Sequence, residues 1–266
     1  MELLEFASYL ALGAGVGLLA GLLGVGGGAV IVPVLTFFFS ARAFPPEYIQ
    51  HLALGTSLAS IMFTSVSSVR SHHARGAVSW RVLRAITPGI MLGTFFGAWL
   101  ASHMSGALLK LIFVCFAYFV AVQMVLNAKP KPGRELPGTA GMWAAGGVTG
   151  ILSSFVGIGG GAVSVPFLTW CNVPLRTVIG TSAAIGFPIA LAGAAGFVVN
   201  GLRATGLPPL SLGFVYLPAL LGISLASVLT APLGAKLAHS LPVSKLKKLF
   251  ALLLFAVATK MLLGLF

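Results

Sequence analysis

Aspartate is absent from this chain of 266 residues, and glutamate occurs only as Glu2, Glu5, Glu47 and Glu135. None of the four lies deep in an apolar segment, so a carboxylate proton relay is not expected. There is no carboxylate pair, no metal-ligand spacing and no nucleophile elbow, and so nothing that supports an enzyme, a metal site or a bound cofactor. Cysteine is scarce as well. Cys115 and Cys171 sit in apolar or near-apolar stretches without a CxxC pairing and read as small buried hydrophobes. Charge of either sign is rare, at 8% of residues, against 58% hydrophobic residues and a mean hydropathy of +1.05. A chain of this composition, with several apolar runs near the ~20 residues that cross a bilayer, is a polytopic helical membrane protein of the cell (inner) membrane. The net charge of +12 does not make it a nucleic-acid binder, because the basic residues punctuate apolar segments instead of forming a stripe on a soluble fold.

What the chain has in abundance is glycine, 34 residues of it, and its densest run occurs twice. Gly24-Val25-Gly26-Gly27-Gly28 leads through four residues to Pro33, and Gly157-Ile158-Gly159-Gly160-Gly161 leads likewise to Pro166, at a constant offset of 133 residues. Each interior glycine costs a helix roughly 1 kcal/mol against alanine, so the clusters read as interruptions. As one helix, Phe6 to Phe39 would be roughly 50 Å long, against ~30 Å of hydrocarbon. Two shorter helices folded back at the glycines fit, whether the hairpin crosses fully or is re-entrant. The opening residues lack the basic region of a secretory signal, and the segment is kept as mature structure.

Three further apolar segments follow, about His51 to Val69, Val82 to Ala101 and Leu108 to Leu126, before a proline-rich linker. The second half repeats the plan: a hairpin over about Ala140 to Trp170, then segments at Val178 to Val199, within Ser211 to Leu237, and Leu246 to Phe266. Gly55-Thr56-Ser57 returns as Gly180-Thr181-Ser182 at an offset of 125, so the link before this segment is longer in the first half. The expected organisation is a first transmembrane repeat over 1–127, a cytoplasmic linker over 128–138 and a second repeat over 139–266. Lysine and arginine orient it. If both glycine elements return the chain to the side it came from, twelve of the 16 basic residues lie inside and four outside; single crossings would give nine and seven. The expected fold is therefore an all-α integral membrane protein of two inverted-topology repeats, each an interrupted helical hairpin plus three transmembrane helices, with both termini outside.

A backbone break inside a bilayer is tolerated where protein or a wet cavity satisfies its polar groups. A helix starting after each cluster would present free N–H groups and the positive end of its dipole, a site for an anion. The candidate binding residues are Gly26, Gly27 and Gly28 with Gly159, Gly160 and Gly161; tight helix packing is the competing role, favoured for the scattered glycines. Thr56, Ser57, Thr181 and Ser182 add hydroxyls in matched positions at the entrance of their segments, either as donors to an oxyanion or bonded to backbone. Ser153 and Ser154 stand where the first half has Ala20 and Gly21, and would be extra donors in an asymmetric site. A proton, if coupled, would need a histidine, a tyrosine or the substrate itself. His51 is the better placed histidine, since His72 and His73 fall in the basic loop and read as solvated or lipid-facing.

The duplicated glycine motif ending in proline, followed each time by Gly-Thr-Ser, resembles the sulfite exporter TauE/SafE family of membrane permeases over nearly the whole chain. Members move sulfur-containing anions such as sulfite, sulfonates or thiosulfate, and some move small carboxylates. The resemblance implies a secondary transporter for a small sulfur oxyanion in the lipid bilayer, with a proton or sodium as the open choice of coupling ion. Substrate, direction and oligomeric state do not follow from it. An anion channel and a non-transporting scaffold or receptor subunit remain the alternatives.

Overall fold

The apolar runs form ten α-helices among the described residues. A computed structural model describes residues 3–23, 27–126, 133–237 and 243–264, the side chains of 3, 23, 235 and 243–247 excepted. In chain order α1 is Leu3–Leu23, α2 Gly28–Ala41, α3 Ile49–His73, α4 Trp80–Ser102, α5 Gly106–Val125, α6 Thr139–Val156, α7 Gly161–Trp170, α8 Leu175–Gly201, α9 Leu217–Leu237 and α10 Val243–Leu263. Six of them, α1, α3, α4, α5, α8 and α9, contain stretches long and apolar enough to cross a membrane, while α2 and α7 are short apolar helices. Both glycine clusters interrupt helix where expected: α1 stops at Leu23 and α2 starts at Gly28, and α6 stops at Val156 and α7 starts at Gly161.

Several boundaries differ from the sequence reading. Gly55-Thr56-Ser57 and Gly180-Thr181-Ser182 do not open their helices; α3 and α8 begin at Ile49 and Leu175, and the triplets lie across their second and third turns. The longer first half is only partly a longer link, because α2 has 14 residues and α7 has 10, one extra helical turn. The basic loop is shorter than expected: Arg70, His72 and His73 belong to the last turn of α3, and Arg81 and Arg84 to α4. His72 is buried rather than solvated, because the last turn of α3 stays inside the bundle. A two-residue hairpin, β1 Ser211–Leu212 with β2 Val215–Tyr216, precedes α9, a local departure from an all-helical chain.

The halves exchange their first helices. α1 packs along α9 and α6 along α4, so each hairpin leans on the other half. Both seams use the same device. A Cβ at Gly13 or Gly17 of α1 would run into the backbone of Ile223 or Ser227 in α9, and one at Gly146 or Gly150 of α6 would meet the backbone of Ile86 or Ile90 in α4. In hydrocarbon the driving force for helix association is close contact, and glycine supplies it by letting backbones approach. The packing role expected of scattered glycines is the one these four play. At the centre, α3 packs on its own counterpart α8: Gly55 meets Phe197, Leu58 meets Gly193, and Ser65 meets Gly186. Residue numbers rise on α3 as they fall on α8, so the two equivalent helices run antiparallel. The same holds for α5 and α10, where Lys110 Nζ donates to the Gly264 carbonyl at 2.7 Å and Tyr118 Oη lies 2.8 Å from Thr259 Oγ1.

Candidate anion site at the helix breaks

Each short helix starts on a left-handed glycine. Gly27 (φ 71°) precedes α2 and Gly160 (φ 75°) precedes α7, a backbone state that a Cβ makes costly. The first bonds of α2 run from Val30 N and Ile31 N to Gly27 O at 3.0 and 3.2 Å, and those of α7 from Val163 N and Ser164 N to Gly160 O at 3.0 and 2.8 Å. The N–H groups of Gly28, Ala29, Gly161 and Ala162 precede these bonds and form the open ends of the two helices.

The two breaks touch. Gly157 (φ 67°) ends α6 with its N–H on Ser153 O at 2.8 Å, and its own carbonyl accepts from Ser57 Oγ of α3 at 2.7 Å. A Cβ on Gly28 would collide with that carbonyl and come within 2.9 Å of Ile158 Cα, so the start of α2 lies directly against the break of the other half. Gly26 lies outside the described residues. Beside the breaks is a small cavity of about 10 Å³, roughly the volume of one water-sized sphere. Its lining includes Gly159, Ser182 and Gly186 from the second half and Thr64, Ser65 and Ser68 from α3.

The candidate hydroxyls divide. Ser153 is fully buried, its Oγ has no hydrogen-bond partner among the described residues, and it lies 3.5 Å from where a Cβ on Gly160 would be. Ser182 Oγ accepts from Ser164 Oγ at 3.0 Å and borders the cavity. Ser154 bonds back to Ile151 O at 2.7 Å, and a Cβ at Gly97 would press on its Oγ, which puts it in the seam between α4 and α6. Thr56 Oγ1 accepts from Tyr216 N and Thr181 Oγ1 from Ser79 N, both at 2.9 Å. Each threonine thus secures the segment that opens the long helix of the opposite half. Tyr216 is further held by Arg42, whose Nη1 donates to the phenol at 2.9 Å and also pairs with Glu5. Burial, then the Glu5 carboxylate, pushes the phenol above its ordinary value, so Tyr216 stays neutral at physiological pH.

His51 is engaged by main-chain carbonyls. Its Nδ1 is 3.1 Å from Glu47 O, and its Nε2 is 3.2 and 3.1 Å from Ala101 O and Met104 O, which fastens the start of α3 to the turn between α4 and α5. The sequence reading did not single out Thr64, Ser65, Ser68 or Gly186. A signal for them exists in Thr64, Ser68 and His72, spaced four residues apart along one face of the helix and all at most 3% exposed.

The family model for the sulfite exporter TauE/SafE matches residues 9–261. The chain belongs to the sulfite exporter TauE/SafE family. A probable membrane transporter protein of Haemophilus influenzae is 40% identical over 255 residues, 96% of this chain and 97% of that protein. Probable membrane transporter protein MJ0441 of Methanocaldococcus jannaschii is 27% identical, covering 93% and 92% of the two chains. Probable membrane transporter protein YdhB of Bacillus subtilis is 26% identical, covering 87% and 89%. No solved structure matches. This TauE/SafE chain is a multi-pass membrane transporter.

Proposed function

We propose that the protein is a secondary transporter for a small sulfur-containing oxyanion, such as sulfite or an organosulfonate, held between the two glycine breaks. The reading is carried by Ser153: a buried hydroxyl without a partner among the described residues, beside the open N-terminus of α7, where that helix break adjoins the start of α2. Donors and positive dipole ends converge there without a fixed cation, which suits an anion that must also leave. Gly26, Gly27, Gly28, Gly159, Gly160 and Gly161 supply the backbone, and Ser57 and Ser182 orient it. The cavity is lined by buried residues and at about 10 Å³ is too small for a sulfur oxyanion unless its walls move, which favours alternating access over a standing channel. The antiparallel run of α3 on α8 and of α5 on α10 supports inverted repeats, with sidedness from the charge count. Thiol labelling of Glu2→Cys from outside and of Lys131→Cys from the cytoplasm, both outside the described residues, is the expected topology result. Labelling of both from one face would refute it.

Ser153→Ala separates binding from packing by sign. Removing an unpartnered buried hydroxyl relieves a desolvation cost of about 1–3 kcal/mol, so the thermal midpoint is expected to rise. Removing a donor to a charged ligand costs about 1.5–3 kcal/mol of affinity, roughly 10- to 150-fold. Binding of sulfite, taurine and sulfoacetate, measured beside thermal unfolding, tests both. A stabilised Ser153→Ala variant with unchanged anion affinity would remove the site from the breaks.

A further inference from the structure

The two central helices are equivalent in the repeat but not in chemistry. From the middle of α3 to its end, Ser60, Thr64, Ser65, Ser67, Ser68, Ser71 and His72 occur, and the matched positions of α8 are Ile185, Ile189, Ala190, Ala192, Gly193, Gly196 and Phe197. Thr64, Ser65, Ser68 and His72 are buried. Across from them α9 contributes Ser224 and Ser227, with Thr64 Oγ1 2.6 Å from Ser227 Oγ and Ser67 Oγ donating to Val228 O at 2.8 Å. Two hydroxyls along this seam, Ser68 and Ser224, are buried with no partner among the described residues. A stripe of this kind could be no more than helix packing, yet packing has no use for unpartnered hydroxyls, each of which weakens a dry interior. Ser68 also borders the cavity at the breaks, and the seam runs from there to the end of α3 where Arg70 and Arg75 stand. On the opposite side of the breaks the corresponding stretch of α8 offers an anion nothing to replace its water.

We propose that the anion passes between the breaks and the basic end of the bundle along this seam of α3 and α9, with Ser68 as the donor that takes it over from solvent. The proposal rests on the reading of the breaks as an anion site, and adds the side from which they are reached. The arginines at the mouth raise the local anion concentration, and the hydroxyls lead inward without a fixed charge that would trap it. Because the cavity in this state is about 10 Å³, passage requires the seam to open, which makes it the moving wall of the site.

Single thiols test the route. In a background with Cys115→Ala and Cys171→Ala, the variants Ser68→Cys, Ser224→Cys and Ala190→Cys are reconstituted in liposomes, with Ala74→Cys marking the face of the basic loop. An anionic and a cationic methanethiosulfonate are added to either side. Ser68→Cys and Ser224→Cys are expected to react only from the face marked by Ala74→Cys. Relative to a free thiol, the anionic reagent should be favoured at least tenfold, and Ala190→Cys should resist from both faces. Reaction from the other face, a preference for the cationic reagent, or equal reactivity of Ala190→Cys would overturn the route. Where Ser68→Cys fails to insert, Ser224→Cys carries the same forecast alone. Protection by taurine or sulfoacetate separates the two readings: sided labelling that neither anion slows keeps the route and rejects an organosulfonate as the occupant of the breaks.

Discussion

Gly28→Leu is expected to abolish transport and lower the thermal midpoint, while Gly15→Leu changes neither. A side chain at Gly28 has nowhere to go, because its Cβ would overlap the Gly157 carbonyl and crowd Ile158 Cα, both main chain and unable to rotate aside. The start of α2 must then part from the other break, which takes the two helix N-termini away from each other. Overpacking of this kind costs about 1–3 kcal/mol or more, a fall of roughly 2–12 °C for a chain of this size. Gly15 meets nothing within 4 Å, so leucine there enters open space on the same helix system. Gly27→Leu and Gly160→Leu would also be inactive, but less informatively. At φ 71° and 75° any side chain strains the backbone, and lost affinity would follow lost stability. Flux and thermal unfolding of Gly28→Leu and Gly15→Leu, with anion binding on the folded fraction, are the measurement. Normal anion affinity in Gly28→Leu would mean that contact between the breaks is not part of the site.

Thr56→Val and Thr181→Val should both destabilise the protein without weakening anion binding. Valine has the shape of threonine but cannot accept a hydrogen bond. Tyr216 N–H in the first variant and Ser79 N–H in the second would lose their 2.9 Å partners. A buried N–H left unsatisfied costs about 1–3 kcal/mol, the loss expected at Tyr216, while the part-buried Ser79 N–H should lose less; with no shared partner the two losses should add in the double variant. Thr→Ser at either position keeps the acceptor and should restore most of the loss. Thermal unfolding of the four single variants and the double, with binding of the transported anion, decides it. An affinity loss at unchanged stability would return these hydroxyls to the substrate. Because the bonds join halves related by the repeat, a loss of stability at both positions would also be the mark of a duplicated structural device.

The duplicated glycine runs, the hydrophobic lengths and the scarcity of acids were legible in the chain because each is a local property. A cluster of glycines interrupts a helix whatever surrounds it, and a 20-residue apolar run has one solvent it can occupy. Family membership followed from the same local motifs. What the hydroxyls do was not legible, because it depends on which main chain lies opposite. Ser57 and Thr56 are adjacent, yet one turns to Gly157 O, 100 residues away, and the other to Tyr216 N, 160 residues away. Nor could the exchange of first helices be read, since α1 and α6 have the same pattern whether they pack on their own half or on the other. His72 looked like part of a wet loop for the same reason: periodicity shows where a helix is apolar, not how far its last turn is covered. Composition and spacing therefore determined the membrane fold and the two breaks, while tertiary packing decided which groups at those breaks were left without partners, because satisfaction of a buried polar group is settled by neighbours distant in the chain.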